Sequence, residues 1–197
     1  MSKQFGERLL QEKYQTTKRA AAFYQNQMLD HVNIPMQEFI KKQEMMFIAT
    51  SDRNGNCDSS FKAGPPGFVR VMNKKTIMYP EYRGNGVMAS LGNLTENPHI
   101  GLMFIDFVEN RVGLHVNGKA FICENKELKN LPIQENVLKK IYRDETRAER
   151  WVIIEIEEAY IHCSKHIPQM NKNEERNDNP LVAGDFFKVK QSRLSQV

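Results

Sequence analysis

The pattern of apolar and polar positions changes character along the chain, and the changes mark its elements. Residues 4–30 are rich in helix formers around Ala20, Ala21, Ala22 and Phe23, with only a thin apolar face. They predict one long helix packed on a partner or on the outside of the domain. Asn33-Ile34-Pro35 is a helix start, and Met36, Phe39 and Ile40 share one face of a short second helix. From Met45 the pattern turns to short apolar runs separated by turn residues. Strands are predicted at 45–51, 57–61, 68–72 and 76–80, divided by the turn 52–56 (DRNGN), the breaker 62–67 (KAGPPG) and the turn 73–75.

A helical pattern then opens at Val87 and stops at Asn97, where Pro98 disfavours the helical conformation. Residues 99–107 (HIGLMFIDF) are almost continuously apolar, which predicts a strand buried on both faces. Residues 111–123 pair next, with a bulge or close backbone approach at Asn117-Gly118. Residues 126–142 are helix-biased with an interruption at Pro132. Residues 151–156 are the last strong strand, extended by 159–163 after a kink at Glu157-Glu158. The polar stretch 171–179 reads as a mobile loop and 181–187 as an apolar tail segment that docks. Six or seven strands in hairpin order, with one helix inserted after the fourth, predict a mainly β fold: an antiparallel barrel with peripheral helices. A doubly wound sheet would need strand and helix to alternate throughout.

Composition changes this picture little. The 197 residues are 40% hydrophobic and 26% charged, ordinary for one globular domain with terminal extensions. The net charge of +4 is spread without a dense basic block, which argues against nucleic-acid binding and suits a small anion. Cys57, Cys123 and Cys163 are far apart, with neither a disulfide framework nor zinc-ligand spacing. No apolar run is long enough to span a membrane and the N-terminus is too polar for a signal peptide, so a reducing cytoplasm is the expected setting.

Three segments carry candidate chemistry. The first is the loop Arg83-Gly84-Asn85-Gly86 between the fourth strand and the following helix. Its glycines allow close backbone approach, Arg83 can clamp a phosphate, and Ser90, Asn93 and Thr95 add polar groups along the helix. By itself such a triplet is more often a plain turn. The second is 62–70, where Lys62 and Arg70 flank two prolines and two glycines; a rigid connector with two surface cations accounts for it equally well. The third is His162-Cys163-Ser164-Lys165-His166, which lacks a third metal ligand or a group to orient a nucleophile and reads better as a strand end lining a pocket. Catalytic triads, a P-loop and a dinucleotide fingerprint are absent.

Together these segments resemble the pyridoxamine 5'-phosphate oxidase-like, FMN-binding split-barrel family, in its branch of uncharacterised flavoproteins. The resemblance rests on MFIAT at 46–50, DSSFKAGPPGFVRV at 58–71, TIMYPEYRGNG at 76–86, SLGNLTENPHIGLMFID at 90–106, LHVNGKA at 114–120 and HCSK at 162–165. It covers residues 35–167 and implies a six-stranded antiparallel split β-barrel, preceded by a helical extension (1–34) and followed by a loop and tail (168–197). It further implies a homodimer with FMN bound across the subunit interface. The flavin phosphate would lie near Arg83, Asn85, Ser90 and Asn93, with Ser60, Lys62 and Arg70 as further phosphate or ring-edge contacts. Tyr79 and Pro80 would run beside the isoalloxazine. Asn117, His162 and Lys165 would approach from the second subunit, Lys165 stabilising the anionic reduced flavin. His115 stands where relatives in this branch often carry Arg. The oxidase's C-terminal Arg-Leu-x-Pro motif is not present, so pyridoxamine phosphate oxidation is not implied. The expected function is an FMN-dependent oxidoreductase acting on a small molecule. The alternatives are a non-catalytic flavin-binding or sensing module, or a haem-binding split barrel with His162 as axial ligand.

Overall fold

The computed structural model describes residues 5–172 and 186–189. The expected loop at 171–179 and tail at 181–187 fall largely outside the described residues. The predicted single N-terminal helix is two helices, α1 (Phe5–Lys13) and α2 (Thr17–Gln27). The chain reverses between them through Gln15 at φ +55°, and the fold-back lets Tyr24 donate to Glu7 at 2.7 Å and accept from Gln11 at 2.7 Å. A two-residue strand, β1 (Met28–Leu29), follows. Helix α3 (Ile34–Lys42) then starts where the sequence signals it, with the Asn33 side chain accepting from the Met36 N–H at 3.1 Å.

Strands β2 (Met45–Ser51) and β3 (Cys57–Ala63) form the first hairpin. Its turn is held by the Asp52 carboxylate, which accepts from the Asn54 and Asn56 N–H groups at 2.8 and 2.9 Å. Strand β4 (Arg70–Asn73) begins two residues later than the pattern predicts. The Phe68 N–H is drawn back to the Pro65 carbonyl at 2.9 Å, and a Cβ at Gly64 would meet the Phe68 ring at 2.7 Å. Phe68 and Val69 therefore enter the core as a fold-back and do not join the ladder. Strand β5 (Thr76–Tyr82), helix α4 (Ala89–Glu96), strand β6 (His99–Asp106) and strand β7 (Val112–Glu124) follow. A 3-10 turn (Asn125–Asn130) and helix α5 (Glu135–Asp144) lie on either side of Pro132. The last strand, β8 (Ala148–His162), is continuous. The expected kink is a β-bulge: Asn117 pairs with Glu158 and Gly118 with Ile156, leaving Glu157 over.

Among the described residues all pairings are antiparallel, in the order β3-β2-β6-β7-β8-β5-β4, with β1 added to β8. Six of these strands have seven residues or more, and the sheet does not close, which makes this a split β-barrel with peripheral helices. One register row, Ser60-Ile48-Leu102-Val116-Ala159, crosses the sheet facing the interior, where Tyr79, Phe104, Leu91 and Leu94 join it. The alternate row, Phe61-Phe47-Met103-His115-Tyr160, faces out. Here β6 departs from expectation. Its residues alternate between buried and half-buried, so its apolarity serves two different surfaces of one sheet layer. A second core, with Met78, Trp151 and Ile153 beneath Leu128 and Ile141, lies on the outer side of β5 and β8 under α5. No helix among the described residues is long and apolar enough to cross a membrane.

Candidate functional site

Strand alternation sets the site. Asp58, Ser60 and Lys62 share the interior face of β3 because side chains two apart point the same way. At the open seam of the barrel they face the end of β5 and the loop that leads into α4. The result is a cleft of about 820 Å³, lined on one side by Asp58, Ser60 and Lys62 and on the other by the Arg83–Met88 loop. That volume lies in the usual range for a small-molecule or cofactor site, about 300–1,000 Å³.

The two sides differ chemically. On the β3 side, Ser90 donates to Asp58 Oδ2 at 2.7 Å and Ser60 lies 3.2 Å from the same oxygen, with 2.9 Å between the two hydroxyls. The hydroxyl protons point inward to the carboxylate, so this wall offers mainly acceptors to a ligand. On the loop side, Gly86 is left-handed at φ +84°, Asn85 Oδ1 takes the Val87 N–H at 3.0 Å, and Arg83 is exposed. A Cβ built on Gly84 or Gly86 would meet nothing within 4 Å, so ligand can approach the backbone there. Met88, left-handed at φ +55°, turns the chain into α4. This wall offers donors and positive charge.

Between the walls a clasp spans the seam. Lys62 Nζ lies 2.7 and 2.8 Å from the two Glu81 oxygens, with both side chains largely shielded. Beneath it, Lys62 Nζ is 6.0 Å from the centre of the Tyr79 ring. The Tyr79 hydroxyl is buried without a hydrogen-bond partner among the described residues. Burial, with the nearby Glu81 charge second, raises its pKa above the ordinary phenol value, so it stays a neutral donor.

The sequence profile of the pyridoxamine 5'-phosphate oxidase family matches residues 34–163, more than half of the chain and the whole of the barrel and cleft. The chain belongs to this family. No curated protein matches it. Among solved structures, HupZ from Group A Streptococcus is 20% identical, covering 71% of this chain and 99% of its own, with a TM-score of 0.50. A protein from Clostridium acetobutylicum related to general stress protein 26 of B. subtilis, of the pyridoxinephosphate oxidase family, is 15% identical over 66% of this chain and 86% of its own, TM-score 0.42. HutZ, the haem storage protein from Vibrio cholerae, is 16% identical over 65% and 91%, TM-score 0.42. At 20% identity the likeness to HupZ is one of fold.

Within this family member the expected site residues separate into groups. Ser60, Lys62, Arg83, Asn85 and Ser90 line the cleft together. Asn93 sits behind it, donating to Thr50 Oγ1 at 3.1 Å and bracing α4 on β2. Tyr79 is in the interior beneath the clasp and Pro80 is buried in the ladder opposite Trp151. Arg70 pairs with Met78 and so faces the outer side of the sheet, where its terminal nitrogen reaches Glu145 at 3.3 Å. Asn117 and His162 also lie on an outer face. His162 Nδ1 is 2.9 Å from His115 Nε2, His115 stacks on Tyr160 at 4.8 Å, and Asn117 donates to Glu158 at 2.8 Å. Lys165 is exposed in a 3-10 turn (Ser164–His166).

Asp58, Glu81 and Arg150 line the cleft and were not read from the sequence. The signal for Asp58 was present: the alternation that aligns Ser60 with Lys62 also places Asp58 beside them. Glu81 and Arg150 are paired across β5 and β8, a register that no local pattern reveals. Among the described residues no group of three or more His, Cys, Asp or Glu is placed to hold a metal ion.

Proposed function

We propose that this chain is an FMN-binding flavoprotein and works as an FMN-dependent oxidoreductase on a small molecule. The observation that carries the reading is the seam cleft itself, which sets a donor wall opposite an acceptor wall. A flavin mononucleotide has matching ends. Its phosphate is an anion suited to Arg83, the Asn85 amide and the open backbone at Gly84 and Gly86. Its ribityl hydroxyls are donors suited to Asp58, Ser60 and Ser90. The unpartnered Tyr79 hydroxyl supports a ligand as well, because a buried donor without an acceptor costs about 1–3 kcal/mol in the empty protein.

When bound, FMN supplies the redox chemistry. The protein's residues bind and orient it. Arg83 and the loop anchor one end. Asp58, with both serines, selects a hydroxylated middle. Lys62, clasped to Glu81 above Tyr79, would be the cation nearest the middle of the bound cofactor. Asn117, His162 and Lys165 lie away from their own cleft, and in this reading they serve the site of a second copy in a homodimer.

Anaerobic mixing of the FMN-loaded protein with NADH or NADPH tests the enzymatic part. Loss of the flavin absorption band followed by its return in air is the expected result. A flavin that stays oxidised with every reductant supports a binding or sensing module instead.

A further inference from the structure

A second cavity of about 850 Å³ lies on the other side of the sheet, under α5. Its floor is a register row of four residues on four neighbouring strands, Arg70-Met78-Ile153-Phe121. Its roof is the 131–134 segment and the α5 residues Val137, Lys140 and Ile141. The row spans three inter-strand spacings, so Arg70 and Phe121 stand about 14 Å apart. Met78 and Ile153 close the length between them from below, 0% and 4% exposed, and the open apolar lining is Phe121 and Val137, 44% and 38% exposed, with half-buried Met72, Leu131 and Ile133.

Charge gives the cavity a direction. Among the described residues, Lys41, Arg70 and Lys140 line it against one carboxylate, Glu155. Arg70 marks one end of the floor. Its guanidinium is held from behind by Glu145 at 3.3 Å, with Asp144 at 3.7 Å, and its Nε has no hydrogen-bond partner among the described residues. Glu145 is itself tied by the Tyr82 hydroxyl at 2.7 Å, and Asp144 accepts from Arg143 Nε at 3.0 Å, so each acid is already engaged. A guanidinium fixed in place with its Nε donor unused is suited to a carboxylate, and the apolar lining beyond it to a hydrocarbon chain or ring system.

We propose that this cavity binds a small amphipathic anion, an aliphatic or aryl-aliphatic carboxylate with its head at Arg70 and its apolar body along Met72, Leu131, Ile133 and Phe121. The site lies on the opposite face of β5 from the seam cleft and stands independently of flavin binding. Full-length protein titrated calorimetrically with decanoate, and in parallel with decylamine and decanol, tests it.

Saturable binding of decanoate at one site per chain is expected, at least about tenfold tighter than either control, the value of a hydrogen bond to a charged group. Arg70→Lys keeps a cation beside Glu145 but loses the planar fork, and it lowers decanoate affinity by about tenfold. Val137→Trp fills the roof and abolishes binding while the thermal midpoint is kept. Equal binding of decylamine, no saturable binding by the wild-type chain, or undiminished binding by the well-folded Val137→Trp variant overturns the proposal.

Discussion

Tyr79 is two opposite things in one side chain. Its ring is a core element and its hydroxyl is a cost, since burial deprives it of water and no neighbour among the described residues replaces the lost hydrogen bond. Tyr79→Phe is therefore expected to leave the empty protein as stable as before, or more stable by about 1 kcal/mol, while weakening FMN binding. Thermal melts without and with FMN read both effects. Gly118 makes the opposite case. A Cβ there would stand 2.1 Å from the Glu155 carbonyl oxygen, and backbone must move to admit it. Gly118→Ala is expected to cost about 1–3 kcal/mol in a denaturant titration, as overpacking does. The Asn117-Gly118 close approach was legible because a glycine inside a strand pattern marks a bulge or a backbone contact that a side chain would block. The orphaned hydroxyl was not, because partners are a property of the folded neighbourhood.

Among the elements, β7 and β8 join the two faces of the sheet. Their outward side carries His115, His162, Tyr160, Asn117 and Glu158, and Phe23 of α2 packs on Tyr160 with ring centres 5.9 Å apart. Burial first, and the neighbouring His162 second, lower the His115 pKa below its ordinary value of 6.5. The folded state then binds fewer protons at this site than the unfolded state just below pH 6.5. Stability is full above that pH and falls as the medium is acidified toward the lowered folded value. Thermal midpoints measured from pH 8 down to about pH 5 are expected to drop more steeply for the wild-type chain than for His115→Asn, in which this group is gone. Equal slopes would assign the acid sensitivity elsewhere.

The same elements show where pattern reading fails. The helix formers of 4–30 conceal a reversal at Gln15, whose positive φ no composition signal announces, and the hydrogen bonds of Tyr24 to Glu7 and Gln11 that hold the fold-back are tertiary. β6 looked doubly buried because its outward residues are apolar too.

For the whole molecule, strand order in sequence made an antiparallel barrel legible. The seam, and the cleft within it, depend on which strands fail to pair. Five of the residues singled out in sequence, Ser60, Lys62, Arg83, Asn85 and Ser90, meet there. Arg70, Asn117 and His162 do not, because their faces follow from register, which a single sequence specifies poorly, and Lys165 lies beyond the last strand. The outward row Phe61-Phe47-Met103 leaves Phe61 57% exposed, an apolar surface that the second copy of the proposed homodimer would cover.

Everything proposed for the seam cleft depends on its holding FMN by the phosphate end. Equilibrium titration of the purified chain, followed by quenching of flavin fluorescence, tests this with FMN and riboflavin side by side. Saturable FMN binding is expected, with riboflavin weaker by about tenfold or more and the preference lost in Arg83→Ala. No flavin uptake, equal affinity for both flavins, or a Soret band on haem addition in place of flavin binding would contradict it.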